Sequence, residues 1–150
     1  MSLFVPLTIK SIQPQTENAI CISFEVQPEQ ASSFEYQPGQ HLTIRHLTEQ
    51  GEIRRCYSIC SDVQEDMSIA IKKIEQGQFS TWANEQLKAG DVLEVMPPQG
   101  VFFQKAAKVG GQHYLGFAAG SGITPILSIV KAVLNRQPNA TFTLVYGNRS

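Results

Sequence analysis

The sequence is poor in cysteine and in charge, and it has no long run of apolar residues. Its three cysteines, Cys21, Cys56 and Cys60, include no Cys-x-x-Cys pair, so we expect neither a disulfide framework nor a four-cysteine zinc or iron–sulfur site within it. Cys56 and Cys60 are predicted to be small core residues rather than redox partners. The longest apolar stretches are interrupted by Gly, Ser, Thr or Lys before they reach the roughly 20 residues of a membrane span, so no membrane partner is expected.

Charge of either sign is scarce and evenly balanced. The 12 Lys and Arg residues are matched by 13 Asp and Glu residues, and the formal net charge is −1. There is no basic cluster, so nucleic acid is not expected as a partner. The hydrophobic fraction of 42% is typical of a globular protein. The amino-terminal residues lack the basic and apolar segments of a signal peptide, and we therefore predict a reduced, cytoplasmic protein.

Residues 1–106 alternate short β-type runs with turn signals. Six short strands connected by turns predict an antiparallel barrel, because closure removes exposed sheet edges. One helix is predicted over 80–88, with Gly90 as its C-terminal stop. The strands are predicted at 7–12, 19–26, 41–45, 55–59, 67–74 and 92–96.

Residues 107–150 follow a different pattern, that of a β-α-β unit. A continuous apolar run at 114–119 is typical of a strand covered on both faces. A helical pattern follows, with Thr124 as its predicted N-cap and Pro125 at its first position, and a second strand is predicted at 141–146. Two parallel strands and one helix leave part of a sheet uncovered, so we expect an N-terminal fragment of a longer protein.

The glycine-rich turn between the first strand and the helix of this unit is a candidate phosphate site. In Gly120-x-Gly122, glycines let the backbone approach an anion, and the first N–H groups of the helix point at it. The motif departs from the dinucleotide fingerprint G-x-G-x-x-G, since Pro125 stands in the last glycine position. Alternatively, the two glycines form a tight turn that serves packing alone and binds no phosphate. Arg149 either accommodates a 2′-phosphate, which favours NADP, or is a solvated surface residue.

The barrel region holds a second candidate site. Arg55 and Tyr57 alternate within a predicted strand and share one face. Arg offers paired donors to a phosphate and Tyr offers a stacking surface, so the pair suits a ligand with both a phosphate and a planar ring. The alternative is a surface Arg beside a half-buried Tyr. The segment Gly77-Gln78-Phe79-Ser80 opens the short helix and is either an anion site or a turn leading into a capped helix.

Four motifs follow one another along the chain: Arg55-x-Tyr57-Ser58, Gly77-x-x-Ser80, Gly120-Ser121-Gly122-Ile123-Thr124-Pro125 and Tyr146-Gly147-Asn148-Arg149. In this order and at these spacings they resemble the motifs of the ferredoxin–NADP reductase superfamily. Residues 54–60, 93–100 and 118–125 are most similar to reductase components of multicomponent oxygenases, including those of aromatic and phenylacetate catabolism.

The resemblance implies a fold and a set of cofactor contacts. The fold is a six-stranded antiparallel Greek-key barrel that binds FAD at 1–106, followed by the truncated start of a parallel-sheet NAD(P)-binding α/β domain at 107–150. Ser58 and Thr124 would lie nearest the reacting atoms, and no metal ligand is implied. The implied cofactor-binding residues, with Arg55 at the pyrophosphate and Tyr57 at the flavin, are Arg55, Cys56, Tyr57, Ser58, Ile71, Lys72, Lys73, Gly77, Gln78, Phe79, Ser80, Gly120, Gly122, Thr124 and Arg149.

The resemblance also implies an electron path and its partners. Electrons would pass from NAD(P)H through FAD to a [2Fe–2S] centre and then to an oxygenase or ferredoxin acceptor. A plant-type cluster needs four cysteines, so the centre is expected in a missing C-terminal domain. Two alternatives remain open: the reductase module of another system, such as a flavohaemoglobin or a hydroxylase reductase, and a flavin-binding module without catalytic activity.

Overall fold

The structure, a computed structural model, describes residues 3–102 and 113–148. The predicted boundary between residues 106 and 107, and the predicted site residue Arg149, lie outside the described residues. None of the helices in the described ranges is long and apolar enough to cross a membrane. Single 3₁₀ turns lie at Ala31–Ser33 and Gly120–Gly122. The remaining elements are β1 (Val5–Thr16), β2 (Ala19–Glu25), β3 (His41–Thr48), β4 (Gly51–Ser58), β5 (Ser68–Lys72), α1 (Gln78–Gln86), β6 (Val92–Val95), β7 (His113–Ala119), α2 (Ile123–Arg136) and β8 (Thr141–Gly147).

The first six strands form an antiparallel barrel. Their order in the sheet is β4-β3-β6-β1-β2-β5. A bridge between Ile59, just after β4, and Ile69 on β5 joins the two ends of this order. Strands β3, β4 and β5 follow one another around the barrel and β6 returns beside β3, which is a Greek-key connection. The predicted six-stranded antiparallel Greek-key barrel is therefore confirmed.

The core lies inside the barrel because alternate side chains of each strand point inward. On β3, Leu42 and Ile44 are completely buried, whereas Leu47, on the other face, is 63% exposed. Helix α1 contributes Phe79 and Ala83 to the same core. The other strands fill it with Leu7, Ile9, Ile20, Ile22, Phe24, Ile69, Ile71, Leu93 and Val95.

Helix α1 begins and ends two residues earlier than the predicted range of 80–88. Leu87 takes an extended backbone conformation and buries its side chain in the core, which ends the helix. Gly90 is therefore not the helix stop that the sequence predicted. It lies in the turn before β6 with a φ of +93°, and its N–H donates to the carbonyl of Ile9 at 2.8 Å.

The cysteines are free thiols, and only part of their predicted burial is found. Cys56 is exposed beside the hydroxyl of Thr43, 3.4 Å away, so its prediction as a core residue is wrong. The reason is the alternation of β4, which turns the neighbours of Cys56 toward the barrel and Cys56 toward solvent. Cys60 is half-buried, and its thiol donates to the carbonyl of Ser68 at 3.4 Å.

Strands β7 and β8 run parallel with α2 as their crossover, which confirms the β-α-β unit. Ile126, Ile129 and Val133 of α2 pack against one face of the strand pair. On the opposite face Phe117 is 68% exposed. Coverage of β7 on both faces, which the apolar run predicted, is not found among the described residues.

Replacing a barrel core residue should lower stability far more than replacing a surface residue of the same strand. Ile44→Ala removes a completely buried side chain and should reduce the free energy of unfolding by about 2–5 kcal/mol. Leu47→Ala, on the solvent face of β3, is the matched control and should change it by less than about 0.5 kcal/mol. Urea unfolding monitored by circular dichroism measures both. Equal losses in the two variants would contradict the assigned inward face.

Candidate functional site

Arg55 and Tyr57 lie on the same face of β4, as the sequence predicted. In the β3–β4 register Tyr57 is opposite Leu42 and Arg55 is opposite Ile44. Because cross-strand partners share a face, both side chains turn toward the side on which Leu42 and Ile44 are buried. In the described part of the chain β4 is joined to β5 only by the bridge at Ile59, so Arg55 and Tyr57 lie along the less fully paired side of the barrel, which we call the groove.

Helix α1 borders the same groove through a cluster of rings. The ring of Phe79 lies 5.8 Å from that of Tyr57, and the ring of Trp82 lies 5.6 Å from that of Phe79. His46 of β3 stacks on Trp82 with centroids 3.8 Å apart. The first turn of α1 and the Arg55–Tyr57 face of β4 therefore converge at one place.

Burial keeps the polar rings of this cluster uncharged. It raises the pKa of Tyr57 to about 12, although the nearby Arg55 guanidinium acts in the opposite direction. It also lowers the pKa of His46, which favours the neutral imidazole. His46 was not predicted as part of a site, because a lone histidine in a strand gives no signal of the helix packed on it. The groove thus has a neutral aromatic wall.

Arg55 carries a positive charge that remains available at this groove. In the described residues no salt bridge includes Arg55, and its guanidinium donates to the backbone carbonyl of Arg54 at 2.7 Å. The neighbouring arginines are neutralised: Arg54 pairs with Glu52, and Arg45 pairs with Glu94 at 2.7 Å. Arg55 itself is exposed. An anionic group can therefore reach it without displacing a carboxylate.

The turn that opens α1 requires glycine and leaves the start of the helix free for a ligand. A Cβ at Gly77 would lie 2.5 Å from the Ser80 hydroxyl oxygen and 3.0 Å from the carbonyl oxygen of Ile74. The buried Ser80 hydroxyl accepts from the N–H of Ile74 at 3.1 Å and donates to the carbonyl of Gly77 at 3.3 Å. No side chain caps the helix, so its first N–H groups remain available to an anion. Ser80 stabilises this turn through these two hydrogen bonds, and the side chain of Gln78 is exposed next to the turn.

The predicted site residues at the end of β5 differ in their exposure. Ile71 is completely buried, so only its backbone is accessible to a ligand. Lys72 is exposed, while Lys73 pairs with Glu85 of α1. Ser58, the last residue of β4, is half-buried. These positions stay predictions, supported by the nearness of β5 to α1, where Asn84 donates to the carbonyl of Ile71 at 3.2 Å.

The glycine-rich turn before α2 differs from the predicted arrangement at its cap. Gly122, not Thr124, is the N-cap, because the 3₁₀ turn of Gly120–Gly122 leads directly into the helix at Ile123. Thr124 is therefore the second helical residue, and its hydroxyl donates to the carbonyl of Ser121 at 2.9 Å. Pro125 is the third and still lies in the first turn, where its missing N–H costs no intrahelical bond.

This turn is open on its outer side. Gly120 has a φ of +53°, a conformation that favours glycine, and a Cβ built on Gly120 or on Gly122 would meet no atom within 4 Å. The hydroxyl of Tyr146 at the end of β8 donates to the carbonyl of Gly120 at 3.2 Å. The backbone at this strand-to-helix turn is thus accessible to a phosphate-bearing ligand.

Comparison with protein families agrees with both regions of the chain. Residues 6–103 match the oxidoreductase FAD-binding domain, and residues 117–150 match the oxidoreductase NAD-binding domain. A 1,2-phenylacetyl-CoA epoxidase component from Escherichia coli K12 is 44% identical over 152 aligned residues, which cover 100% of this chain and 42% of the relative. The ferredoxin reductase component of 3-ketosteroid-9-alpha-monooxygenase from Rhodococcus rhodochrous is 38% identical, over 97% of this chain and 41% of the relative. The chain thus spans about two fifths of the length of these curated relatives.

Solved structures show the same fold. A ferredoxin NADP+ reductase from Neisseria gonorrhoeae with bound FAD and NADP superposes with a TM-score of 0.77 at 22% identity, over 96% of this chain and 58% of that one. Phthalate dioxygenase reductase superposes with a TM-score of 0.79 at 27% identity, over 98% of this chain and 44% of that one. With its barrel, its β-α-β unit and the family match over residues 6–103, the chain belongs to the oxidoreductases with a ferredoxin–NADP reductase-like FAD-binding domain.

Proposed function

We propose that this chain is the FAD-binding part, with the beginning of the NAD(P)-binding part, of a reductase component that passes electrons from NAD(P)H to an oxygenase. The observation that carries the proposal is that Arg55 and Tyr57 share one face of β4 and that Phe79, in the uncapped first turn of α1, lies 5.8 Å from Tyr57 between ring centroids. The similarity to components of a phenylacetyl-CoA epoxidase and of a ketosteroid monooxygenase supports an oxygenase as the acceptor. A role in phenylacetate or aromatic catabolism and a cytoplasmic location are part of the same proposal.

The residues of the groove fit the chemistry of FAD. The cofactor combines a doubly anionic pyrophosphate with a flat isoalloxazine ring. The exposed guanidinium of Arg55 and the first N–H groups of α1 suit the pyrophosphate. The neutral ring of Tyr57 suits the isoalloxazine, and Ser58 follows it along β4 at the proposed reactive edge. We assign Cys56, Gln78 and residues 71–73 to contacts at the periphery of the cofactor.

The turn at Gly120–Gly122 suits the nicotinamide dinucleotide. Its open backbone and the start of α2 allow close approach of a phosphate group. The Thr124 hydroxyl holds the turn through Ser121, which preserves its shape where the dinucleotide would lie. When bound, FAD supplies a ring that accepts a hydride and releases electrons singly, and the protein positions the two cofactors for that transfer.

The electron acceptor is proposed to carry a [2Fe–2S] centre. Such a cluster is held by four cysteine thiolates, whereas this sequence has three cysteines. The acceptor centre is therefore assigned to another domain or another protein, with an oxygenase or a ferredoxin as the partner. The two named relatives belong to oxygenase systems, which does not favour the flavohaemoglobin-type or non-catalytic alternatives.

The proposal predicts a yellow protein whose flavin is reduced by NAD(P)H. The purified protein should show a flavin absorption spectrum, and FAD rather than FMN should be released on denaturation. In a chain that continues through the whole nucleotide-binding domain, adding NADH or NADPH under anaerobic conditions should bleach the flavin absorbance. Protein that stays colourless after incubation with FAD would contradict the assigned cofactor. Bound flavin that neither nucleotide bleaches would instead support the non-catalytic module.

Removing the Arg55 guanidinium should weaken FAD binding. Arg55→Ala should raise the free energy of FAD binding by about 1–3 kcal/mol, because charge-assisted hydrogen bonds to the pyrophosphate are lost. Arg54→Ala is the matched control, since Arg54 is the preceding residue, faces the other side of β4 and pairs with Glu52. Quenching of flavin fluorescence on titration with apoprotein measures both affinities. If the two variants lose the same affinity, Arg55 is not a specific FAD ligand.

A further inference from the structure

The loop that connects β4 to β5 contains a fully buried carboxylate that binds helix α2. Asp62 is completely buried, and its carboxylate accepts three hydrogen bonds. The first comes from the N–H of Val63 at 2.8 Å, within the loop. The other two come from the end of α2, from the side-chain amide of Asn135 at 2.9 Å and the guanidinium of Arg136 at 3.3 Å. A buried carboxylate with these partners fixes the place where α2 meets the barrel.

The contact extends along one side of α2. The buried hydroxyl of Ser128 donates to the carbonyl of Ser61 at 2.7 Å. One turn later, the Lys131 ammonium pairs with Glu65 at 2.7 Å. Ser128, Lys131 and Asn135 follow one another at spacings of three and four residues, so they form one polar face of the helix.

The barrel holds its side of this contact firmly. The hydroxyl of Tyr36 donates to the carbonyl of Asp62 at 2.7 Å and lies 2.9 Å from the hydroxyl of Ser61. The N–H of Ser68, at the start of β5, donates to the same Ser61 hydroxyl at 3.0 Å. The loop is thus a rigid part of the barrel to which α2 attaches.

The loop and the helix that form this contact are each connected in sequence to one of the two proposed cofactor sites. The loop follows β4, which carries Arg55, Tyr57 and Ser58. Helix α2 begins immediately after the glycine-rich turn of Gly120–Gly122. We propose that Asp62 is a positioning residue, which holds α2 and the turn before it in a set orientation to the FAD groove. This inference rests on the proposed function and adds to it a residue that touches neither cofactor.

Positioning of this kind acts on the rate of hydride transfer rather than on binding. Transfer requires the nicotinamide and flavin rings at near contact distance, and a displacement of about 1 Å can cost up to roughly 100-fold in rate. In the proposed arrangement the groups that bind each cofactor lie on separate elements, so a change at Asp62 leaves those groups in place. A change at Asp62 should therefore separate the rate of flavin reduction from the affinities.

The test uses Asp62→Asn in a chain that continues through the whole nucleotide-binding domain. Three donors converge on the carboxylate, and the amide of the variant would turn an NH2 group toward one of them. Asp66→Asn is the matched control: Asp66 belongs to the same loop, is exposed, and pairs with Lys10 of β1. Anaerobic stopped-flow reduction by NADH and NADPH gives the rate constant and the nucleotide affinity. Long-wavelength charge-transfer absorption of the flavin–nicotinamide complex reports the stacking of the rings.

The expected result is a rate constant for flavin reduction lowered roughly 10- to 100-fold in Asp62→Asn, with weaker charge-transfer absorption. FAD affinity and nucleotide affinity should match those of the unaltered protein and of Asp66→Asn. A role confined to stability would lower the melting temperature and leave the charge-transfer absorption unchanged, and that outcome overturns the inference.

Two further variants make the test independent of the folding of Asp62→Asn. Ser128→Ala removes the other buried bond to the loop, and Asn135→Ala leaves the carboxylate with Val63 and Arg136. Both variants should lower the rate constant for flavin reduction, as Asp62→Asn does. Unaltered rates and spectra in these variants would overturn the inference while the proposed function stands. A flavin that nucleotide fails to bleach in the unaltered protein would instead refute the proposed function.

Discussion

The open side of the barrel along β4 is the constraint on which the rest of the site depends. Strand β4 has the alternation of a barrel strand, so Arg55 and Tyr57 turn toward the side that holds the core. In the described residues, β4 meets β5 only through the bridge at Ile59, and the inward-facing residues before that bridge border a groove. Helix α1 covers part of this groove and places Phe79 against Tyr57. A barrel closed along its full length would leave no space here for a planar cofactor.

The pairing of charges around this groove explains how a nearly neutral sequence can present a positive site. Exposed ion pairs contribute little to stability, typically about 0–1 kcal/mol. The pairs of Arg45 with Glu94 and of Arg54 with Glu52, the first of them half-buried, nevertheless neutralise two arginines on the other face of β3 and β4. Arg55 is left as the guanidinium without a carboxylate partner in the described part of the chain. The net charge of −1 gives no sign of this, because the binding of a phosphate depends on which charges remain unpaired and not on their sum.

Patterns local in the chain were predictable from the sequence, and contacts between distant segments were not. The barrel and the shared face of Arg55 and Tyr57 follow from a period of two, and the register confirms both. The cap of α2 was assigned wrongly to Thr124, because a 3₁₀ turn at Gly120–Gly122 starts the helix earlier than the capping preference indicates. Nothing in the sequence around Asp62 predicted that this residue would be buried or would contact α2. Its burial is created by Asn135 and Arg136, more than 70 residues later in the chain.

The two faces of α2 show how one short helix serves both packing and orientation. Its apolar face, with Ile126, Ile129 and Val133, holds it to the parallel strands through contacts that have no preferred direction. Its polar face meets the barrel through hydrogen bonds to the Ser61 carbonyl and the Asp62 carboxylate, which are directional. An apolar contact of the same size would allow the helix to slide. A hydrogen-bonded contact admits one arrangement, because a displaced helix would leave a buried carboxylate without its donors. For the proposed hydride transfer between cofactors on separate elements, the orientation given by such a contact matters more than additional stability.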